Sequence, residues 1–309
     1  MSDPIADRLA DATFDRRRLK RRLVWWRAAA VVAIAALIGA VLWFERGGHA
    51  GGGGSDYIAR VTVAGVIEDE PNRAAYLADL ASDDRVAAVI VSINSTGGTF
   101  SGSESLYASL RELADAKPTA AVVGGMAASG GYMAAIATDH IIARSGSVVG
   151  SVGVIFQMPQ VYRLLDDLGI DVETIRSGEL KASPGPMQET TPPARKAAEA
   201  LVDDLFGQFL DMVVGRRNLS GGDLEDVRKG GVYTGRVGLE MGLIDKIGGE
   251  DAALAWLTET RGVSADLPVY DRSADDRLPW WAEMMEELEN RVRVGPTPIL
   301  DGPWAIWHQ

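Results

Sequence analysis

"TAAVVGGMAASGGYMAAIA", Thr119 to Ala137, sets a short apolar run against a stretch built almost wholly from glycine and alanine. "TAAVVGG" reads as a strand and "GGYMAAIA" as a helix, with Ser129 at the joint between them. A serine there lies at a helix N-terminus, beside backbone N–H groups without intrahelical partners. The Gly130 N–H then has the placement of an oxyanion donor. Small residues also let a helix pack closely on a sheet, and the spacing misses the G-x-S-x-G elbow. This stretch alone leaves both readings open.

Its surroundings give the fold class. "YIARVTVAGVI", "VAAVIVSI", "DHIIAR" and "VVGSVGVIF" read as strands, and "AAYLADLAS" and "SESLYASLRELADAK" as intervening helices. That alternation indicates an α/β domain with a largely parallel sheet covered on both faces. "TPPARKAAEALVDDLFGQFLDMVVGRR" opens on prolines and keeps an apolar stripe, which predicts one long helix. "INSTGGTFSG", Ile93 to Gly102, joins a strand to a helix and brings two glycines to the C-terminal edge of the sheet, where open α/β folds bind ligands. Gly97 and Gly98 are candidates for a second oxyanion donor. No Walker lysine follows them and no G-x-G-x-x-G is present, so a phosphate cradle does not fit; a bare turn is the remaining alternative.

A nucleophilic serine needs a base. The chain has no cysteine and three histidines: His49 in a glycine-rich run, His140 opening an apolar strand, and His308 next to the C-terminus. Cysteine-bound metal is excluded, and a Ser-His-Asp arrangement is poorly supplied. A lysine serves as base when burial or positive neighbours keep it neutral. Lys181, in "RSGELKASPGPM", is the favoured candidate, since most other lysines lie in charged, solvated surroundings. Nothing in the residue types calls for a metal or an organic cofactor.

Charge is divided along the chain. Residues 1–46 carry nine Lys/Arg and five Asp/Glu, leaving 22 basic against 38 acidic residues beyond them. So acidic a body is no partner for nucleic acid. The basic cluster precedes an apolar run whose ends carry Trp25, Trp26 and Trp43. The expectation is an uncleaved transmembrane anchor at residues 23–44, with the N-terminus cytoplasmic and the body exported to the periplasmic or extracellular side.

"INSTGG", "MAASGGYMAA", "VVGSVGVI", "SGELKASPG" and "YTGRVGLEMGLIDKIGG" occur in the order found in the signal peptide peptidase A family, which this chain resembles over roughly residues 58–257. The resemblance implies a Clp-protease/crotonase-like βα superhelix and a Ser/Lys serine protease. It assigns Ser129 as nucleophile, Lys181 as general base and Ser151 as the hydroxyl that orients the lysine amine. The family's glycine loop falls on Gly97 and Gly98. Thr96 stands where the family usually has proline, and Ala182 where it usually has aspartate.

The expected protein is a membrane-anchored endopeptidase that degrades remnant signal peptides and needs no cofactor. It is expected to form a ring-like homo-oligomer whose active sites are shared between subunits, because the family's double-domain members are about twice as long. The alternatives are a crotonase-like acyl-CoA enzyme, disfavoured by export away from CoA, and an inactive scaffold, disfavoured by the presence of both Ser129 and Lys181. The expected segments are a basic N-terminus (1–22), the anchor (23–44), a tether (45–56), the protease domain (57–261) and an appendage without an assigned role (262–309).

Overall fold

Parallel pairing needs strands that are apolar on both faces, and the chain supplies them three times in succession. The computed structural model describes residues 56–273 together with Trp26 and Arg27. Strand β1 (Tyr57–Ile67), helix α1 (Pro71–Ser82), β2 (Val86–Gly98), α2 (Phe100–Ala116), β3 (Thr119–Ala128) and α3 (Gly130–Ala137) follow one another as strand–helix units. The shorter elements come next: β4 (His140–Ala143), β5 (Val148–Gly150), α4 (Tyr162–Asp167), α5 (Pro192–Arg216), α6 (Gly221–Arg228), β6 (Val232–Thr234), α7 (Gly235–Glu240), β7 (Lys246–Ile247), α8 (Glu250–Arg261) and β8 (Val269–Arg272). The sheet runs β6-β5-β3-β2-β1-β8, with β4 also on β3 and β7 on β4. Every pairing is parallel except β5 with β6.

The two faces are read off alternate residues of β2. Val89, Val91 and Ile93 pack into a core with Leu77 and Leu80 of α1, Leu110 and Leu113 of α2, and Phe209 and Val213 of α5. Ala88 and Ile90 face the other way, onto Ala253 and Leu257 of α8. The fold is thus mixed α/β with a mostly parallel, doubly covered sheet, as expected. The long helix forms too: Thr191 caps it by accepting the Ala194 N–H, and proline opens its first turn.

Two expectations change. The run Val148–Phe156 is a strand only to Gly150, because neither β3 nor β6 offers a partner beyond that point, and Ser151 turns away at φ 55°. The folded body also continues past Arg261. Val263 is buried, and β8 pairs with β1 from Ile58↔Val269 to Val61↔Arg272. The anchor at 23–44 lies outside the described residues except for Trp26 and Arg27, and so does the tether at 45–56 except for Asp56. Among the described residues, no helix is long and apolar enough to cross a membrane.

Helix α3 is held as a wedge in the first core. All eight of its residues are buried, and the Tyr132 hydroxyl donates to the Leu243 carbonyl at 2.8 Å. Burial pushes the Tyr132 phenol well above its ordinary range, so it stays neutral and a donor. At the other end, the Arg216 guanidinium donates to the carbonyls of Ile136 and Thr138, both at 2.9 Å, capping α3 with a cation. Tyr132→Phe keeps the ring and leaves the Leu243 carbonyl unpaired. It is expected to cost about 1–3 kcal/mol of unfolding free energy in a urea titration; an unchanged midpoint at equal slope would show that this bond adds nothing.

Candidate active site

The corner between β3 and α3 is tighter than a common strand-to-helix turn. Ser129 has φ 51° and ψ −120°, a backbone geometry costly for any residue with a side chain. This is a sharp strand-to-helix turn, made without the G-x-S-x-G spacing. Ser129 is half-buried, its N–H donates to the Gly150 carbonyl at 2.9 Å, and its carbonyl accepts the Met133 N–H at 2.9 Å. One bond ties the corner to β5 and the other starts α3.

The glycines explain how the corner is closed. A Cβ on Gly97, which has φ 99°, would lie 2.8 Å from the Gly130 nitrogen and 2.9 Å from the Ser129 Cβ. One on Gly98 would meet the Ile67 carbonyl oxygen at 1.8 Å, and one on Gly130 would meet Ser103 Oγ at 2.0 Å. Gly131 lies as close to Ser95, with the carbonyl oxygen 2.8 Å from the Cβ position. The bare backbone of Gly97 therefore keeps the space before the Gly130 N–H open. Its own N–H, expected as a candidate oxyanion donor, is instead given to Ser95 Oγ at 3.1 Å. Thr96 is the extra residue of a bulge: Gly65 pairs with Ser95 and Val66 with Gly97. An unpaired bulge residue gives nothing to the ladder, so threonine and proline are both accommodated there.

Ser151 follows Gly150 just as Ser129 follows Ala128, and Ala128 and Gly150 are register partners. The two serines thus leave neighbouring strand ends, both with positive φ. The Ser151 N–H donates to Gly231 O at 2.7 Å. Lys181 is placed differently. It sits in an exposed segment between β5 and α5, and its ammonium group has no hydrogen-bond or ion-pair partner among the described residues. Ser129, Ser151, Gly97, Gly98 and Gly130 are brought together within one chain; no bond joins Lys181 to them. Two buried hydroxyls beside the corner, Ser95 and Ser103, escape a reading by residue type. The available signal was their inward position in an otherwise apolar strand and at the first turn of α2.

His140 is engaged elsewhere. It opens β4, stacks on Trp256 with ring centroids 4.6 Å apart, and lies 3.7 Å from an Asp245 carboxylate oxygen. No group of His, Cys, Asp or Glu suited to a metal occurs among the described residues.

A family model for peptidase family S49 matches residues 111–264. A relative from Synechocystis sp., carrying a provisional protease name, is 33% identical over 221 residues, covering 71% of this chain and 80% of that protein. Protease 4 of Haemophilus influenzae is 29% identical over 228 residues, covering 71% of this chain but only 37% of that protein. Among solved structures, the membrane-bound stomatin-specific protease 1510-N aligns at TM-score 0.47 with 12% identity, over 71% of this chain and 99% of that one.

Two outcomes follow from this geometry. Gly98→Ala, whose Cβ would strike backbone, is expected to destabilise by about 3 kcal/mol or more. Gly146→Ala, open on all sides, stays within about 0.5 kcal/mol of wild type in the same thermal melts. Burial pushes the His140 imidazole below its ordinary 6.5, with Asp245 partly opposing, so the folded chain holds this proton less tightly than the unfolded chain. Its contribution to stability is therefore full above pH 6.5 and is lost as pH falls below that value. Stability is expected to fall as pH drops below 6.5, and less steeply in His140→Gln, as read from urea midpoints.

Proposed function

The chain belongs to peptidase family S49 and is a protease, and from that premise we propose that it is a serine endopeptidase with Ser129 as nucleophile and Lys181 as general base. The observation that carries the proposal is the strained Ser129 corner, with the Gly130 N–H beside it and glycine backbone clearing the approach. In the proposed reaction, the neutral Lys181 amine takes the Ser129 hydroxyl proton as Oγ attacks a peptide carbonyl carbon. The resulting oxyanion is held by the N–H groups of Gly130 and Gly98, while Gly97 serves through its missing side chain. The lysine proton passes to the departing amine. Water then attacks the acyl-enzyme, giving its proton to the same lysine, which passes it to Ser129 Oγ as the acid product leaves. Ser151 steadies the lysine amine from the adjacent strand end.

The proposed site is shared between subunits. Lys181 stands on a segment whose apolar side chains face solvent in the single chain: Ile155 is 88% exposed, Leu168 65% and Ile175 91%. A surface of that kind calls for a partner. A second copy, docked head to tail in a ring, would cover it and bring Lys181 to the neighbour's Ser129. Substrates are proposed to be remnant signal peptides and similar peptides. The apolar run at 23–44 is proposed to anchor the body on the outer side of the cytoplasmic membrane.

Ser129→Ala and Lys181→Ala are each expected to lose peptide hydrolysis with the fold intact. Mixed in equal amounts and co-assembled, they recover roughly a quarter of the sites if the dyad is shared. No recovery from demonstrably mixed rings would place both residues in one chain. Because the base works only when uncharged, the wild-type rate is expected to rise with pH; a flat profile would contradict a lysine base.

A further inference from the structure

Ser95 is a polar residue near the C-terminal end of β2, only 2% exposed. Its hydroxyl proton and a lone pair are both used: Oγ donates to the Gly65 carbonyl at 2.6 Å and accepts the Gly97 N–H at 3.1 Å. Both partners sit where the regular ladder fails. The β1–β2 register slips between Gly65 and Val66, with Thr96 as the extra residue, and the β2–β3 register slips between Ile93 and Ser95. Gly65 itself is left-handed, at φ 70°. The hydroxyl thus stands in for a missing rung, linking Gly97 N–H, Ser95 Oγ–H and Gly65 carbonyl in one chain of bonds. The Ser95 backbone also lies against Gly131, the second residue of α3.

We infer that Ser95 is a positioning residue for the reaction: it pins the bulged end of β2, so that bare Gly97 lies against Ser129 and Gly130 and the Gly98 N–H is left for the substrate oxyanion. The inference rests on the serine-peptidase reading above. Bulges beside active sites re-aim the residues that follow them, and this one requires a hydroxyl to hold its new direction. Alanine would fill nearly the same space and leave the Gly97 N–H without its acceptor, free to turn. The loop would then lose its setting in the step where negative charge develops, while ground-state substrate binding persists.

The test uses the full chain and a cleavable peptide, with affinities for the matching peptide aldehyde and peptide alcohol. The aldehyde forms a tetrahedral oxyanion on the serine, and the alcohol does not. Ser95→Ala is expected to lower kcat about tenfold to hundredfold with KM within about twofold. Aldehyde affinity should fall by a similar factor and alcohol affinity should hold. Gly65→Ala is the second variant. Nothing lies within 4 Å of its added Cβ, but the left-handed φ is strained, so the acceptor carbonyl shifts and the same split is expected. If Ser95→Ala does not fold, Gly65→Ala decides by the same measurements. A kcat within twofold of wild type, or equal losses for aldehyde and alcohol, overturns the inference. Ser129→Ala is run alongside: if it cleaves as well as wild type, the serine-peptidase reading fails and takes this inference with it. If it is inactive while Ser95→Ala is fully active, only the inference fails.

Discussion

The backbone of Ser129 is held in a conformation that costs about 1–3 kcal/mol, and the structure around it is arranged to hold it there. Two strand ends and a helix converge on this corner. β5 supplies the Gly150 carbonyl that takes the Ser129 N–H, β2 supplies Gly97, and α2 supplies Ser103 against Gly130. The approaches of Gly97 and of Ser103 are closer than side chains on Gly97 and Gly130 would permit. Gly97 and Gly130 thus close the corner itself, while Gly98 lies against Ile67 and Gly131 against Ser95. Strain at a single residue persists only where its surroundings over-determine it, and here they do so with a backbone hydrogen bond and close-packed glycines.

The rest of the body divides into a rigid part and an open one. Helix α3 is buried from end to end, tied to the segment after α7 through Tyr132 and capped by Arg216 of α5. Arg217, next in sequence, donates to both Asp245 oxygens and to the Gly242 carbonyl, while Asp245 also accepts the Ile141 N–H. These bonds lock the end of α5 to the strands beneath α3. The segment between β5 and α5 is built differently, with a single short helix and apolar side chains turned outward. A fixed Ser129 and a Lys181 carried on an exposed segment are the arrangement that the proposed two-subunit site requires.

Much of this was legible in the sequence. The strand–helix alternation, the long α5 and the joint at Ser129 follow from periodicity and from glycine and proline placement. The elbow itself did not, because its turn is made by contacts from residues some thirty positions upstream and twenty downstream rather than by a local pattern. Gly97 was legible as a site residue but not in its part: only the fold shows its N–H turned inward to Ser95. The end of β5 depends on where its neighbours stop, and β8 is a four-residue edge strand with two charged side chains. Neither leaves a periodic signal. His140, at the head of an apolar strand, is half-buried and stacks on Trp256.

The central claim is that the hydroxyl at the β3–α3 corner is the atom that bonds to substrate. The most direct measurement is mass spectrometry of the protein after reaction with a peptidyl fluorophosphonate, with the adduct located by fragmentation. The account predicts one adduct per chain, on Ser129, and peptide hydrolysis that falls in step with its formation. An adduct on another hydroxyl, Ser151 above all, or full hydrolysis by protein whose Ser129 is quantitatively modified, would contradict it.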